Sequence, residues 1–121
     1  MTRGAEGSII NMSSIAARTG GADGATLYAA FKAAVASPTR GMAKELASFG
    51  IRVNATAPGI LLTAFRDKYT KPLAKLIASI PLGRGASADE VAGPALFLAS
   101  NRLSSFVTGE VIEINGGALM S

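Results

Sequence analysis

Tyr28 and Lys32 are the residues whose types and spacing point most directly to chemistry. Four positions apart in an Ala-rich segment with high helix propensity, they are expected on one helix face, one turn apart. A free phenol has a pKa of about 10, and a nearby ammonium lowers that pKa because it stabilises the phenolate. Such a pair can act as a general acid or base. The alternative is a chance pair on an exposed helix face, since YxxxK alone is a weak pattern.

Ser14 adds a hydroxyl group close to this pair. It follows a predicted strand and precedes the helix that carries Tyr28. Ligand sites of open parallel sheets lie beyond the carboxyl ends of the strands, where a hydroxyl can hydrogen-bond a reacting carbonyl or alcohol oxygen. A loop or capping role is the alternative for Ser14. The neighbouring Ser13 is expected to point elsewhere.

Pro58 and Gly59 follow a second predicted strand, again at its carboxyl end. Glycine permits a ligand to approach the backbone closely. Thr63 stands at the start of the next predicted helix, where hydroxyl and N–H groups suit phosphate or amide groups. An ordinary strand-to-helix turn is the alternative interpretation of this segment.

The composition excludes several other kinds of site. The 121 residues include no Cys and no His, which excludes disulfides, Ser-His and Cys-His triads and the usual zinc sites, and no metal is expected. The net charge of +4 comes from scattered basic residues and Trp is absent, so no nucleic-acid surface is expected. No apolar run is long enough to span a membrane, and residues 1–6 lack a secretory signal, which predicts a cytoplasmic protein.

The elements that position these residues alternate between strand and helix. Predicted strands cover residues 7–13, 51–56 and 109–115, a loop covers 15–25, and predicted helices cover 26–49, 61–80 in two pieces divided before Pro72, and 88–99. A capping box from Ser87 to Glu90 predicts the start of the last helix. Pro38 and Pro94 fall inside predicted helices, where we expect kinks. This order predicts an α/β fold with a doubly wound parallel sheet of three strands and flanking helices.

Four segments together resemble the short-chain dehydrogenase/reductase family, and within it the 3-oxoacyl-acyl-carrier-protein reductases. The resemblance rests on residues 11–14 (NMSS), 28–32 (YAAFK), 52–60 (RVNATAPGI) with Thr63, and 108–117 (TGEVIEINGG). It covers nearly the whole chain from Gly7 onward. The segments occur in the family's order, which makes the combined pattern far more specific than any one of them.

The resemblance implies a role for each matching residue. Tyr28 would be the general acid or base, Lys32 would tune the phenol and hold the nicotinamide ribose, and Ser14 would polarise the substrate oxygen. Four further residues would line NAD or NADP, the choice between which stays open: Pro58, Gly59, Ile60 and Thr63. The substrate would be a small carbonyl or alcohol compound, including an acyl thioester, and the protein a homo-oligomer. The basic residues of the segment 66–75 would attract an anionic substrate or simply form a solvated helix face.

The departures from the family pattern define an alternative. Residues 1–121 match one partial domain, the C-terminal catalytic half, and contain no N-terminal dinucleotide-binding half with its glycine-rich loop. The interval from Ser14 to Tyr28 is one residue longer than is common in the family. The chain is therefore either an NAD(P)-dependent oxidoreductase or a truncated remnant that acts at most as an association-prone or partner-binding module. A nucleic-acid- or partner-binding module of another kind is a third alternative, and in its nucleic-acid form would show steep salt dependence.

Overall fold

The computed structural model describes residues 6–63 and 73–120. Strands and helices alternate along the chain, as the sequence predicts. The elements are β1 (Gly7–Met12), α1 (Ala16–Thr19), α2 (Thr26–Leu46) with a 3₁₀ turn (Ala47–Phe49), β2 (Ile51–Pro58), α3 (Leu73–Ala78), α4 (Asp89–Ala99), α5 (Asn101–Ser104) and β3 (Val111–Ile114).

The three strands form one parallel sheet in the order β1-β2-β3. In register, Gly7 lies opposite Ile51 and Met12 opposite Thr56, while β3 begins opposite Ala55. Each parallel connection runs through at least one helix, as a parallel ladder requires. The predicted fold class, an α/β protein with a three-stranded parallel sheet and flanking helices, is confirmed.

The two faces of the sheet are covered by different helices. The side chains of Asn11 on β1 and of Ser13 directly after it hydrogen-bond to α2, whereas that of Ser8 on β1 bonds to the Leu98 carbonyl of α4. Because side chains alternate along a strand, odd-numbered positions of β1 face α2 and even-numbered positions face α4. The central strand β2 is buried from Arg52 to Pro58, since it is covered on both faces.

The long helix α2 keeps its predicted limits despite the internal proline. It runs through Pro38, and α4 runs through Pro94 in the same way, so both helices continue past their prolines, and the kinks expected there stay a prediction. The α2 segment ends in its 3₁₀ turn at Gly50, whose φ of 74° is the left-handed conformation that glycine adopts readily. No helix within the described ranges is long and apolar enough to cross a membrane.

Two predictions of local structure were wrong. Residues 15–25 contain the helical turn α1, which the three glycines of that segment concealed in the sequence. The predicted helix from residue 61 does not begin there, because Leu61 forms a parallel bridge with Ala86 and the Leu62 N–H donates to the Ala86 carbonyl. Residues 64–72, which include Arg66, Lys68 and Lys71, lie outside the described residues. Lys75 is exposed on α3.

Candidate active site

The carboxyl ends of β1 and β2 meet at one edge of the sheet, and backbone hydrogen bonds hold Ser14 there. The Ser13 N–H donates to the Thr56 carbonyl at 2.8 Å, and the Ile15 N–H donates to the Pro58 carbonyl at 2.9 Å. Ser14 lies between these two bonds and is therefore fixed beside the end of β2. The structure thus brings Ser14 and Pro58, two predicted site residues, into neighbouring positions.

The Ser14 side chain is nearly buried, with 8% of its surface exposed. Its Oγ accepts a hydrogen bond of 3.1 Å from the Ala16 N–H at the start of α1. The local capping role that the sequence left as an alternative is therefore present. Within the described ranges the hydroxyl proton has no acceptor, so this proton is available to a substrate oxygen.

Tyr28 and Lys32 lie next to each other on α2, as their spacing predicts. The Lys32 Nζ lies 5.8 Å from the centroid of the Tyr28 ring. The same Nζ donates a hydrogen bond of 3.0 Å to the carbonyl of Met12, the last residue of β1. The Tyr28 side chain is 51% exposed, so its phenol is accessible from solvent. The lysine therefore connects Tyr28 to the end of the strand that continues into Ser14.

Sequence analysis missed the part that Ser13 plays at this site. The Ser13 Oγ donates a hydrogen bond of 2.8 Å to the main-chain carbonyl of Lys32, and the side chain is only 2% exposed. The strand alternation contained the signal, because position 13 shares the face of Asn11 that packs against α2. Ser13 is thus directed towards the helix that carries Tyr28.

Packing against a neighbouring residue requires glycine at position 59, which the sequence did not predict. Its N–H donates to the Ile114 carbonyl at 2.9 Å, which extends the pairing of β2 with β3. A Cβ at this position would lie 2.9 Å from the Cβ of Asn115. The glycine therefore allows Asn115 to approach the backbone, and approach by a ligand stays a prediction.

Ile60 and Thr63 follow on the same side of the molecule. Ile60 lines a cavity of about 280 Å³ together with Ile114 and Asn115. Thr63 is half-buried, and the predicted helix after it lies outside the described residues. Ile60 thus lies shortly after the carboxyl end of β2, and the cofactor contacts of Ile60 and Thr63 stay predictions.

The larger cavity, about 490 Å³, lies between α2 and β3. Ser13 and Ser14 line it, together with Arg40 and Glu110, but Tyr28 and Lys32 do not. The phenol and the ammonium therefore lie at an open surface rather than in this cavity. The three predicted catalytic residues are connected through the end of β1 and not through a shared enclosed space.

Two ion pairs lie near these cavities. Arg18 contacts Glu113 at 3.2 Å, and Arg84 contacts Glu90 at 2.7 Å. Hydrogen bonds from the Arg84 guanidinium and from the Ser87 N–H stabilise the carboxylate and lower the pKa of Glu90 to about 2. The Ser87 N–H bond is one half of the predicted capping box, and α4 begins one residue later than predicted.

Comparison with known proteins gives relatives along nearly the whole chain. A family model described as enoyl-(acyl carrier protein) reductase matches residues 1–118. The 3-oxoacyl-acyl-carrier-protein reductase of Thermotoga maritima is 46% identical over 121 residues, which are 99% of this chain and 48% of that protein. The corresponding reductase of Chlamydia pneumoniae is 45% identical over 118 residues, 97% of this chain and 47% of that protein. The chain thus spans about half the length of these curated relatives.

Solved structures share the fold. A protein from Beutenbergia cavernae, described provisionally as an NAD(P)-dependent gluconate 5-dehydrogenase with bound NADP at low occupancy, superposes with a TM-score of 0.86 at 40% identity. The match covers 96% of this chain and 47% of that one. An NADH-dependent reductase of alginate metabolism has a TM-score of 0.82 at 37% identity, over 94% of this chain and 42% of that one. Together with the family model, these relatives show that the chain belongs to the short-chain dehydrogenase/reductase family and is similar to its 3-oxoacyl-acyl-carrier-protein reductases.

Proposed function

We propose that the chain carries the proton-transfer site of an NAD(P)-dependent oxidoreductase that interconverts a ketone or 3-oxoacyl group and an alcohol. The observation that supports this most directly is the contact between Tyr28 and Lys32 at the end of β1, where the Lys32 Nζ bonds the Met12 carbonyl at 3.0 Å. A general acid must be reachable by its substrate, and Tyr28 is half-exposed.

In the reductive direction, the Tyr28 hydroxyl donates its proton to the substrate oxygen while the carbonyl carbon is reduced to an alcohol. The Lys32 ammonium, which lies beside the Tyr28 ring, stabilises the phenolate that remains, because opposite charges attract. The free hydroxyl proton of Ser14 hydrogen-bonds the substrate oxygen and orients it. When bound, the nicotinamide cofactor supplies the hydride, or accepts it in the reverse direction.

The residues at the carboxyl edge fit a cofactor of this class. Lys32 uses one of its three N–H donors on Met12, and two remain for ribose hydroxyls. Pro58, Gly59, Ile60 and Thr63 follow β2 at the same edge and would line the nicotinamide and pyrophosphate. The choice between NAD and NADP stays open, since one solved relative is described as NADH-dependent and another as holding NADP.

The relatives suggest the class of substrate. Several are 3-oxoacyl-acyl-carrier-protein reductases, and a dog relative is a (3R)-3-hydroxyacyl-CoA dehydrogenase. We therefore propose an acyl thioester with a 3-oxo or 3-hydroxy group as the substrate, and a homo-oligomer as the working form.

Steady-state turnover of NADPH and NADH with an acetoacetyl thioester tests the proposal. Tyr28→Phe is expected to lower kcat by about a hundredfold to ten-thousandfold, because the phenyl ring cannot donate the proton. Tyr69→Phe, at the only other tyrosine in the chain, is the matched control and should retain activity. If the unmodified chain is active and Tyr28→Phe has the same kcat, Tyr28 is not the general acid.

One observation favours the alternative of an association module without activity of its own. Gly7 and Ser13 direct their N–H groups to β2, so the even-numbered residues of β1 direct theirs to the opposite side. Within the described residues no strand pairs with that side. An open strand edge is a template for pairing with another chain.

Two measurements separate the alternatives. An association module is expected to form oligomers in light scattering and to bind no NADPH in a fluorescence titration. A chain that binds NADPH and melts cooperatively as a monomer in calorimetry would contradict that alternative.

A further inference from the structure

We propose that Ser13 is a positioning residue whose hydroxyl holds the Lys32 turn of α2 against the end of β1, so that the Lys32 ammonium stays on the Met12 carbonyl. The inference rests on the proposed function, because it concerns the pair formed by Tyr28 and Lys32. It adds a role to a residue to which neither the sequence pattern nor the family resemblance assigns one.

The contacts around Lys32 form a closed loop of two hydrogen bonds. Its main-chain carbonyl accepts from the Ser13 Oγ at 2.8 Å, and its Nζ donates to the Met12 carbonyl at 3.0 Å. The two partners are Met12, the last residue of β1, and Ser13, which directly follows it. One bond fixes the backbone of the lysine and the other fixes its ammonium, so together they determine where the ammonium lies relative to the strand.

The rest of the α2–β1 contact shows why the first of these bonds matters. A further polar link between the two elements joins the Asn11 Nδ2 to the Thr39 Oγ1 at 3.0 Å. Thr39 lies seven residues after Lys32, which is about two helical turns away. The Asn11 link therefore holds the distal part of α2, and Ser13 holds the part next to Tyr28.

Burial makes the Ser13 hydroxyl effective without making the helix depend on it. The side chain is 2% exposed, so water cannot easily replace the bond to Lys32. The Lys32 carbonyl lies inside α2, where it is also positioned to accept the helical hydrogen bond from the N–H of residue 36. Removal of the hydroxyl therefore leaves the helix intact and weakens only its contact with the end of β1.

The test compares Ser13→Ala with Thr39→Val, which removes the distal link between the same two elements. The first readout is hydrogen exchange of the Lys32 ammonium, followed by NMR of the ¹⁵N-lysine-labelled chain and assigned with Lys32→Met. In the unmodified chain, in Thr39→Val and in Ser13→Thr, the Met12 bond is expected to protect this ammonium. In Ser13→Ala its exchange is expected to accelerate about tenfold, the equivalent of one lost hydrogen bond.

Turnover supplies the second readout. Ser13→Ala is expected to lower kcat about tenfold with KM within about twofold of the original, because the acid is displaced while the binding surface remains. Ser13→Thr keeps the hydroxyl group and is expected to restore kcat.

Each other outcome overturns the proposal. If Ser13→Ala and Thr39→Val lost the same protection, Ser13 would have no role beyond general packing. If the Lys32 ammonium were unprotected in the unmodified chain, the Met12 carbonyl would not hold it. Should Ser13→Ala fail to fold, the isosteric pair Ser13→Thr and Ser13→Val decides, and equal exchange in both overturns the proposal. A failure of the proposed function is distinct, since it appears as unchanged turnover in Tyr28→Phe while the ammonium pattern is as expected.

Discussion

The two ends of β2 differ in how their polar groups are used. Near the amino end the Arg52 guanidinium, 7% exposed, donates to the Asn101 Oδ1 at 2.9 Å, to the Ser104 Oγ at 3.0 Å and to the Val107 carbonyl at 3.3 Å. At the carboxyl end, Tyr28 is half-exposed and Ser14 retains a free hydroxyl proton among the described residues.

This difference separates stability from chemistry within one sheet. Buried polar groups must be hydrogen-bonded, and the contacts of Arg52 with Asn101, Ser104 and Val107 make the amino end a closed network. A reaction needs donors that are still unused, and among the described residues the Ser14 hydroxyl at the carboxyl end is such a donor. Substitutions at the amino end should therefore act on the free energy of unfolding, and substitutions of the unused groups should act on turnover.

The largest expected effect on stability comes from Arg52→Ala. It removes the donor from one buried acceptor, on Ser104, and from two part-buried acceptors, on Asn101 and Val107, and should lower the free energy of unfolding by about 3 kcal/mol. Chemical denaturation followed by circular dichroism measures this loss. Arg102→Ala, at an exposed arginine of α5, is the control and should stay within about 0.5 kcal/mol. Equal effects of the two substitutions would contradict the closed network.

Gly59→Ala tests the carboxyl end, where the expected effect is smaller. The added Cβ would lie 2.9 Å from the Asn115 Cβ, so β2 and β3 must shift apart at a cost of about 1–3 kcal/mol. Gly41→Ala is the control, because its Cβ would meet nothing within 4 Å on α2. Alanine is the better helix former, so this control should stabilise the chain by up to about 1 kcal/mol. If Gly59→Ala were equally harmless, Asn115 would not require the close approach.

The smallest effect concerns the exposed pair of Arg84 and Glu90. The pKa of Glu90 is lowered to about 2 in the folded chain, so its ion pair stabilises the fold above the carboxylate's unfolded pKa. This stabilisation is lost as the pH falls from that value through about 2. Melting temperatures between these limits should fall more steeply in the unmodified chain than in Glu90→Gln. Parallel curves would show that the pair contributes nothing.

Much of the fold could be predicted because the evidence for it is local. The limits of α2 follow from its Ala-rich run and from the glycine after it, and they hold although Pro38 removes one backbone donor. The strands β1 and β2 follow from short β-branched runs. In contrast, Leu61 is extended because its backbone pairs with residue Ala86 far along the chain, and no local pattern records such a partner.

The candidate site shows the same division. The i, i+4 spacing predicted that Tyr28 and Lys32 would be neighbours, and the structure places the Lys32 Nζ 5.8 Å from the Tyr28 ring. Ser13 was expected to point elsewhere, and Gly59 was expected to admit a ligand. Their observed partners, Lys32 and Asn115, come from other elements, so only the packing of those elements reveals them.

The sequence by itself determined the order of strands and helices and the neighbouring positions of Tyr28 and Lys32 on one helix, since both depend on residues a few positions apart. The tertiary structure alone decided which serine supports α2 and which keeps a free hydroxyl proton. It also decided that residue 59 packs closely against Asn115, which requires glycine, and that the closed network lies at the amino end of β2. These features depend on hydrogen bonds and close contacts between residues distant in the chain, whose geometry exists only after the elements have packed together.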